Sequence, residues 1–163
     1  MVVMKRSLAM DGFMQRAIEL SLKNVRSGGG GPFAALVVRD GVVLASGVNR
    51  VTTSLDPTAH AEIVAIRAAC QAARDFQLSG CELYTTCEPC PMCMGAIYWA
   101  RLAKVYYANT RADAAKIGFD DSLFYDELAR PIDSRRIPMI QTQRDQALAA
   151  FEEWELSQTK IQY

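Results

Sequence analysis

The chain has 163 residues and a mass of 18.0 kDa, which suits one domain that buries roughly 70% of its unfolded surface without disulfide staples. Hydrophobic residues make up 50% and charged residues 22%, excluding a disordered, collagen-like or coiled-coil chain. Lys and Arg (18) balance Asp and Glu (18) to a net charge of 0, so the sequence lacks the basic surplus that grips long nucleic acids. A small-molecule partner is expected instead. The longest apolar stretches, such as Val42–Ala45, fall far short of the roughly 20 residues of a membrane span, and Met1–Met10 has no signal-peptide core. The five cysteines (Cys70, Cys81, Cys87, Cys90, Cys93) are odd in number, and three of them crowd together. That pattern points to metal or thiol chemistry in a reducing, cytoplasmic setting rather than a disulfide framework.

In chain order, a helix is predicted from Asp11, a capping residue, to Arg26, with Met14, Ile18, Leu22 and Val25 at three-to-four spacing. Ser27–Gly31 is the one linker-like run. Phe33–Val38 and Val42–Val48 read as strands joined by the hairpin turn Asp40-Gly41. Asp56-Pro57-Thr58 ends this region, and an Ala-rich helix follows from Ala59 to about Ala73. Cys81–Thr86 is a strand, Pro91 opens a helix running to about Ala100, and Lys104–Ala108 is another strand. Arg111–Ile117 is helical and ends at Gly118, Ser122–Ala129 is a short helix closed by Pro131, and Asp145–Leu156 is an amphipathic helix with Leu148, Phe151 and Trp154. Ile137–Gln141 is expected as an edge strand, because Pro138 cannot donate to a ladder. A hairpin followed by alternating helices and strands implies an α/β fold, a three-layer α/β/α sandwich around a mixed five-stranded sheet. The whole chain is expected to form one domain, with residues 1–10 poorly ordered.

Two segments carry the chemistry: Thr58-Ala59-His60-Ala61-Glu62 and Cys87-Glu88-Pro89-Cys90-Pro91-Met92-Cys93. Each falls where a helix begins, near the carboxyl ends of strands where α/β sheets bind ligands. His60, the chain's one histidine, with Cys90 and Cys93 would make three legs of a tetrahedral zinc site, leaving the fourth position to water in the catalytic form. Helix N-termini favour the thiolates. Glu62 is two residues from His60, and at a first helical turn both side chains can lean toward the metal. A carboxylate beside the metal's water without coordinating it is a general base in position. A thiol redox pair would leave His60 and Glu62 unexplained, and a zinc-stabilised module without catalysis is the rival of another class. Cys87 reads as a small buried residue, Cys70 and Cys81 as core, and Glu88 as a loop carboxylate held by backbone donors.

At these residues the sequence resembles the cytidine deaminase-like zinc-dependent superfamily, most closely its bacterial guanine deaminases, whose signature H-x-E followed by P-C-x-x-C it carries. The stretches Asp56–Glu62, Ala96–Arg101 and Gly118–Ser122 are similar to that subfamily, and Ala34 departs from it where relatives often have Gly. The resemblance implies zinc-dependent hydrolysis of guanine to xanthine and ammonia, with zinc-bound hydroxide attacking the amine-bearing carbon and Glu62 shuttling protons. It implies that Asp121 acts as a second acid on the amino group, beside its plainer reading as a helix N-cap. Asn49 matches the residue reading the purine's polar edge, its other reading being a strand-ending turn. Phe33 and Trp99 match aromatic positions near the base pocket, each with core as its plainer reading and core favoured for Trp99, and Ala61 is counted among the substrate-binding residues. Tyr163 is similar to a terminal tyrosine that closes the site in relatives whose C-terminal segments, here 142–163, are exchanged within a homodimer. Guanosine and tRNA adenosine are the rival substrates; the zero net charge favours a free base.

Overall fold

The structure, a computed structural model, describes residues 2–163 of the chain, with side chains from Gly12 onward. The poor order expected of residues 1–10 therefore falls outside the described side chains. Residues group into two compact units, Met1–Asp121 and Ser122–Tyr163.

In the first unit, helix α1 (Val2–Arg26) extends through Asp11 rather than starting there. Strands β1 (Ala34–Arg39) and β2 (Val42–Val48) form the predicted hairpin. Both turn residues take positive φ, Asp40 at 50° and Gly41 at 77°, which is what a two-residue turn between twisted strands demands. A short helix α2 (Val51–Ser54) follows, then α3 (Ala61–Ala73), β3 (Glu82–Cys87), α4 (Pro91–Trp99), β4 (Lys104–Asn109) and α5 (Arg111–Lys116). Gly118, at φ 90°, sits just past the end of α5 as foreseen.

The sheet is mixed, with order β2-β1-β3-β4: β1 is antiparallel to β2 and β3, and β3 runs parallel to β4 across the α4 crossover. It has four strands, not five. Ile137–Gln141 forms no strand; Pro138 removes a ladder donor, and Ile137 and Ile140 are left exposed. Alternate residues of β1 enter two different clusters. Ala35 and Val37 pack with Ala61, Ala65, Ile66 and Ala69 of α3 and Ile97 of α4, while Leu36 and Val38 pack with Ala17 of α1 and Tyr84. This two-residue period makes β1 the buried spine of the unit.

Ser27–Gly31 is not a linker. Asn24 Nδ2 donates to Gly31 O at 2.9 Å and Thr53 Oγ1 to Gly29 O at 3.1 Å, so two side chains pin the loop, and Ser21 Oγ holds the adjoining Pro32 O at 2.7 Å. Glycine runs suggest freedom by composition, but a backbone polar group near the core finds partners wherever they exist.

The second unit holds α6 (Ser122–Ala129), a 3₁₀ turn (Ile132–Ser134) and α7 (Arg144–Leu156). None of the three contains a buried residue, and Phe151, on the apolar stripe of α7, is 74% exposed. No helix among the described residues is long and apolar enough to cross a membrane.

Candidate metal centre

The loop before α3 explains where the helix begins. Asp56 Oδ1 accepts from the backbone N–H of Thr58 at 2.8 Å and from its hydroxyl at 2.7 Å, and Ala59 N donates back to Asp56 O at 3.0 Å. These bonds keep Ala59 out of the helix and His60 is extended, so α3 starts at Ala61, two residues later than its composition suggests, with His60 as N-cap. His60 makes no capping bond and its ring is left to the site. At α4 the geometry is parallel: Cys90 is the N-cap, Pro91 fills the first turn and Cys93 follows, fully buried.

His60, Cys90 and Cys93 are thereby brought together, their ligand atoms all within 4.8 Å of one another. Both sulfurs lie 3.5 Å from His60 Nδ1 and 3.6 Å from each other. A tetrahedral zinc ion with ordinary bond lengths sets S···N edges of about 3.6 Å and an S···S edge of about 3.8 Å. The three atoms thus already form one face of the polyhedron, and one nitrogen with two sulfurs is a donor set that zinc favours. The same sulfurs are much too far apart for a disulfide.

Glu62, in the first turn of α3, is 5% exposed and stands outside this group. Its Oε1 accepts from Thr85 Oγ1 at 3.0 Å, and its Oε2 lies 3.5 Å from Cys93 Sγ. Burial holds its carboxyl above the ordinary range. Cys90 is pushed down to about 4, first by the hydrogen bond from Cys93 and also by that of His60. Cys93, the donor of that bond, is pushed up, and His60 is raised by its bond to Cys90. The cluster concentrates negative charge where a cation would replace shared protons.

Cys87 is not in the group. Its thiol faces Thr110 O at 3.7 Å and is pushed up to about 11 by burial, as befits a small buried residue. Cys81 is buried and Cys70 packs partly against the core. Glu88 accepts from the backbone N–H of Arg111 at 3.1 Å, the loop role expected of it.

Asn49, 6% exposed, directly follows β2, and its neighbour Arg50 donates a backbone N–H to Ala59 O at 2.9 Å, joining this turn to the His60 loop. A side-chain amide has both a donor and an acceptor. In the structure Oδ1 accepts from Gly31 N and from Val51 N, each at 3.3 Å, so the oxygen is engaged and the NH₂ is the group left to offer. Phe33 packs edge-on against Phe119, ring centroids 4.9 Å apart, and Ala61 is the fully buried first residue of α3. Ala34 is buried and donates its N–H to Thr86 Oγ1 at 3.0 Å. Asp121 ends the first unit; burial, then the charge of Cys90, raise its carboxyl above the ordinary range. Trp99 is 67% exposed rather than core, since α4 is apolar on all sides and periodicity does not mark its inner face. Tyr163 belongs to the second unit.

Sequence reasoning missed three residues. Thr85 is a fully buried hydroxyl on β3 whose partner is Glu62. Gly47 stands where a Cβ would come within 2.4 Å of Ala61 O and Ala65 N, so α3 lies directly on the β2 backbone. A lone Gly inside a strand was the available signal for that close approach. Asn24, on α1, bonds the turns that hold Asn49.

Residues 9–109 match the family described as the cytidine and deoxycytidylate deaminase zinc-binding region. The chain is 50% identical to guanine deaminase of Bacillus subtilis over 93% of its own length and 97% of that protein. It superimposes on an X-ray structure of guanine deaminase from Bacillus subtilis with a TM-score of 0.91, covering 94% of this chain and 98% of that one. It is 46% identical to the tRNA-specific adenosine deaminase of Agrobacterium fabrum, over only 55% of this chain and 61% of that protein. Together with a three-ligand cluster that fits zinc, these matches establish that the chain belongs to the cytidine and deoxycytidylate deaminase zinc-binding family.

Proposed function

We propose that this protein is a zinc-dependent guanine deaminase that hydrolyses the 2-amino group of guanine, giving xanthine and ammonia. One observation carries the chemistry: three metal-competent atoms in tetrahedral spacing beside a buried carboxylate that is not one of them. His60, Cys90 and Cys93 would hold a zinc ion, which when bound would supply a Lewis acid that brings the pKa of a water down to about 7. Glu62 then holds and moves the proton between that water and the ring nitrogen, and its desolvated carboxyl, raised above the ordinary range, is suited to both accepting and returning it. Thr85 fixes the Glu62 carboxylate by its 3.0 Å bond. Asp121 attends the departing amine, its raised carboxyl being ready to give a proton. Asn49 donates its NH₂ to an acceptor on the purine edge, while Phe33 and the backbone at Ala61 wall the base.

Guanine rather than a tRNA adenosine is supported by the near-complete overlap with the Bacillus subtilis relative, against the half-chain overlap with tRNA-specific deaminases. The zero net charge agrees. We further read the chain as a cytoplasmic homodimer of α/β/α units with exchanged C-terminal segments, Tyr163 closing the partner's site. The support is the second unit, whose α6 and α7 bury no residue of their own while Phe151 and Ile140 stand 74% and 84% exposed. Ammonia release from guanine, guanosine, adenine, cytosine and cytidine tests the substrate. Turnover of guanine above the others is the expected result. Steep salt-dependent binding of a tRNA stem-loop without guanine turnover would reverse the reading.

A further inference from the structure

Asn24 lies on α1, away from the segments that carry the metal ligands, yet it is only 7% exposed. Its Nδ2 gives one hydrogen bond to Gly31 O at 2.9 Å and another to Asn49 O at 3.0 Å, so both amide protons bridge the glycine loop and the end of β2. Those two carbonyls belong to the residues whose third link is Gly31 N to Asn49 Oδ1 at 3.3 Å. The three residues close a ring in which each bond fixes the others. Glycine stands at the two tightest points: a Cβ at Gly29 would meet Asn24 Oδ1 at 2.4 Å, and one at Gly30, already at φ 147°, would meet Asn49 O at 2.3 Å. Both N–H groups facing Asn49 Oδ1 are backbone donors, and an amide nitrogen there would confront them donor to donor. The ring therefore dictates which end of the Asn49 amide is turned to a ligand.

We infer that Asn24 is a positioning residue for substrate selection: by holding Gly31 and Asn49 together it orients the Asn49 amide with its NH₂ toward the base. The inference rests on the proposal that Asn49 reads the purine. Asn24→Asp places an oxygen against two carbonyl oxygens, and Asn24→Ala removes the bridge. Steady-state guanine kinetics and zinc content are measured for these variants, for Asn49→Ala and for the Asn24→Ala/Asn49→Ala double variant.

The expected result for Asn24→Asp and Asn24→Ala is a guanine KM raised about tenfold, with kcat changed by less than about threefold and zinc retained. In the Asn49→Ala background, Asn24→Ala should alter KM by less than about twofold, since its target is gone. If Asn49→Ala raises KM but the Asn24 variants do not, or if their effect persists in full without Asn49, the positioning role is wrong and base reading by Asn49 stands. Joint loss of zinc and kcat in all Asn24 variants would equally overturn it, as a general structural role. An unchanged KM in Asn49→Ala alone would sink the base-reading proposal itself.

Discussion

Gly47→Ala is the perturbation whose consequence the structure allows to be worked through most fully. The added Cβ would sit 2.4 Å from Ala61 O and Ala65 N and 3.0 Å from Val64 C. All three are backbone atoms, so no rotamer change relieves the clash. Restoring ordinary contact near 3.4 Å requires the first turns of α3 to retreat from β2 by about 1 Å, or the strand to bend by as much. That turn carries Glu62 and directly follows His60, whereas Cys90 and Cys93 stand at the start of α4. The retreat therefore moves nitrogen and carboxylate against stationary sulfurs, disturbing 3.5 Å spacings that match a tetrahedral ion. A misplacement of this size costs about 10² in rate, and overpacking costs about 1–3 kcal/mol of stability. Guanine turnover, zinc titration and denaturant unfolding of the variant measure these effects separately. Unchanged zinc affinity and turnover in a folded Gly47→Ala protein would refute the claim that α3 is seated on β2 by a missing side chain.

Glu62→Gln is expected to keep zinc and the bond to Thr85 while lowering kcat by about 10²–10⁴, read from metal content and ammonia release; loss of metal would make Glu62 a ligand instead. Cys87→Ser should retain zinc, whereas Cys93→Ser should lose it, as metal analysis of the purified variants will show. Asp56 is held below its ordinary 3.8, first by the Thr58 hydroxyl and then by its N–H. Its contribution to stability is thus present above 3.8 and lost as pH falls through the lower folded-state value. The stability deficit of Asp56→Ala should therefore be constant at neutral pH and shrink in acid, in denaturant titrations across that range.

Local patterns in the sequence were enough for much of the site. The hairpin at Asp40-Gly41, Pro91 at the start of α4 and the spacing of Cys90 and Cys93 act over a few residues, and the structure bears them out. What could not be read depends on contacts distant in sequence. The extended His60 follows from the Asp56–Thr58 turn overriding the helix propensity of Ala59. Thr85 gains meaning only from Glu62, 23 residues away, and Asn24 only from Asn49, 25 residues away. Trp99 was misplaced because α4 has no polar face to mark its outside. The missing fifth strand shows the limit of a β-rich pattern that includes a proline and finds no partner strand among the described residues.

Zinc K-edge X-ray absorption on the metal-loaded protein tests the central claim most directly. The account predicts two sulfur neighbours at about 2.3 Å, one imidazole nitrogen at about 2.0–2.1 Å and one solvent oxygen, unchanged in Glu62→Gln. A shell of four protein ligands, a carboxylate that disappears with Glu62→Gln, or a folded protein that takes up no zinc would contradict it.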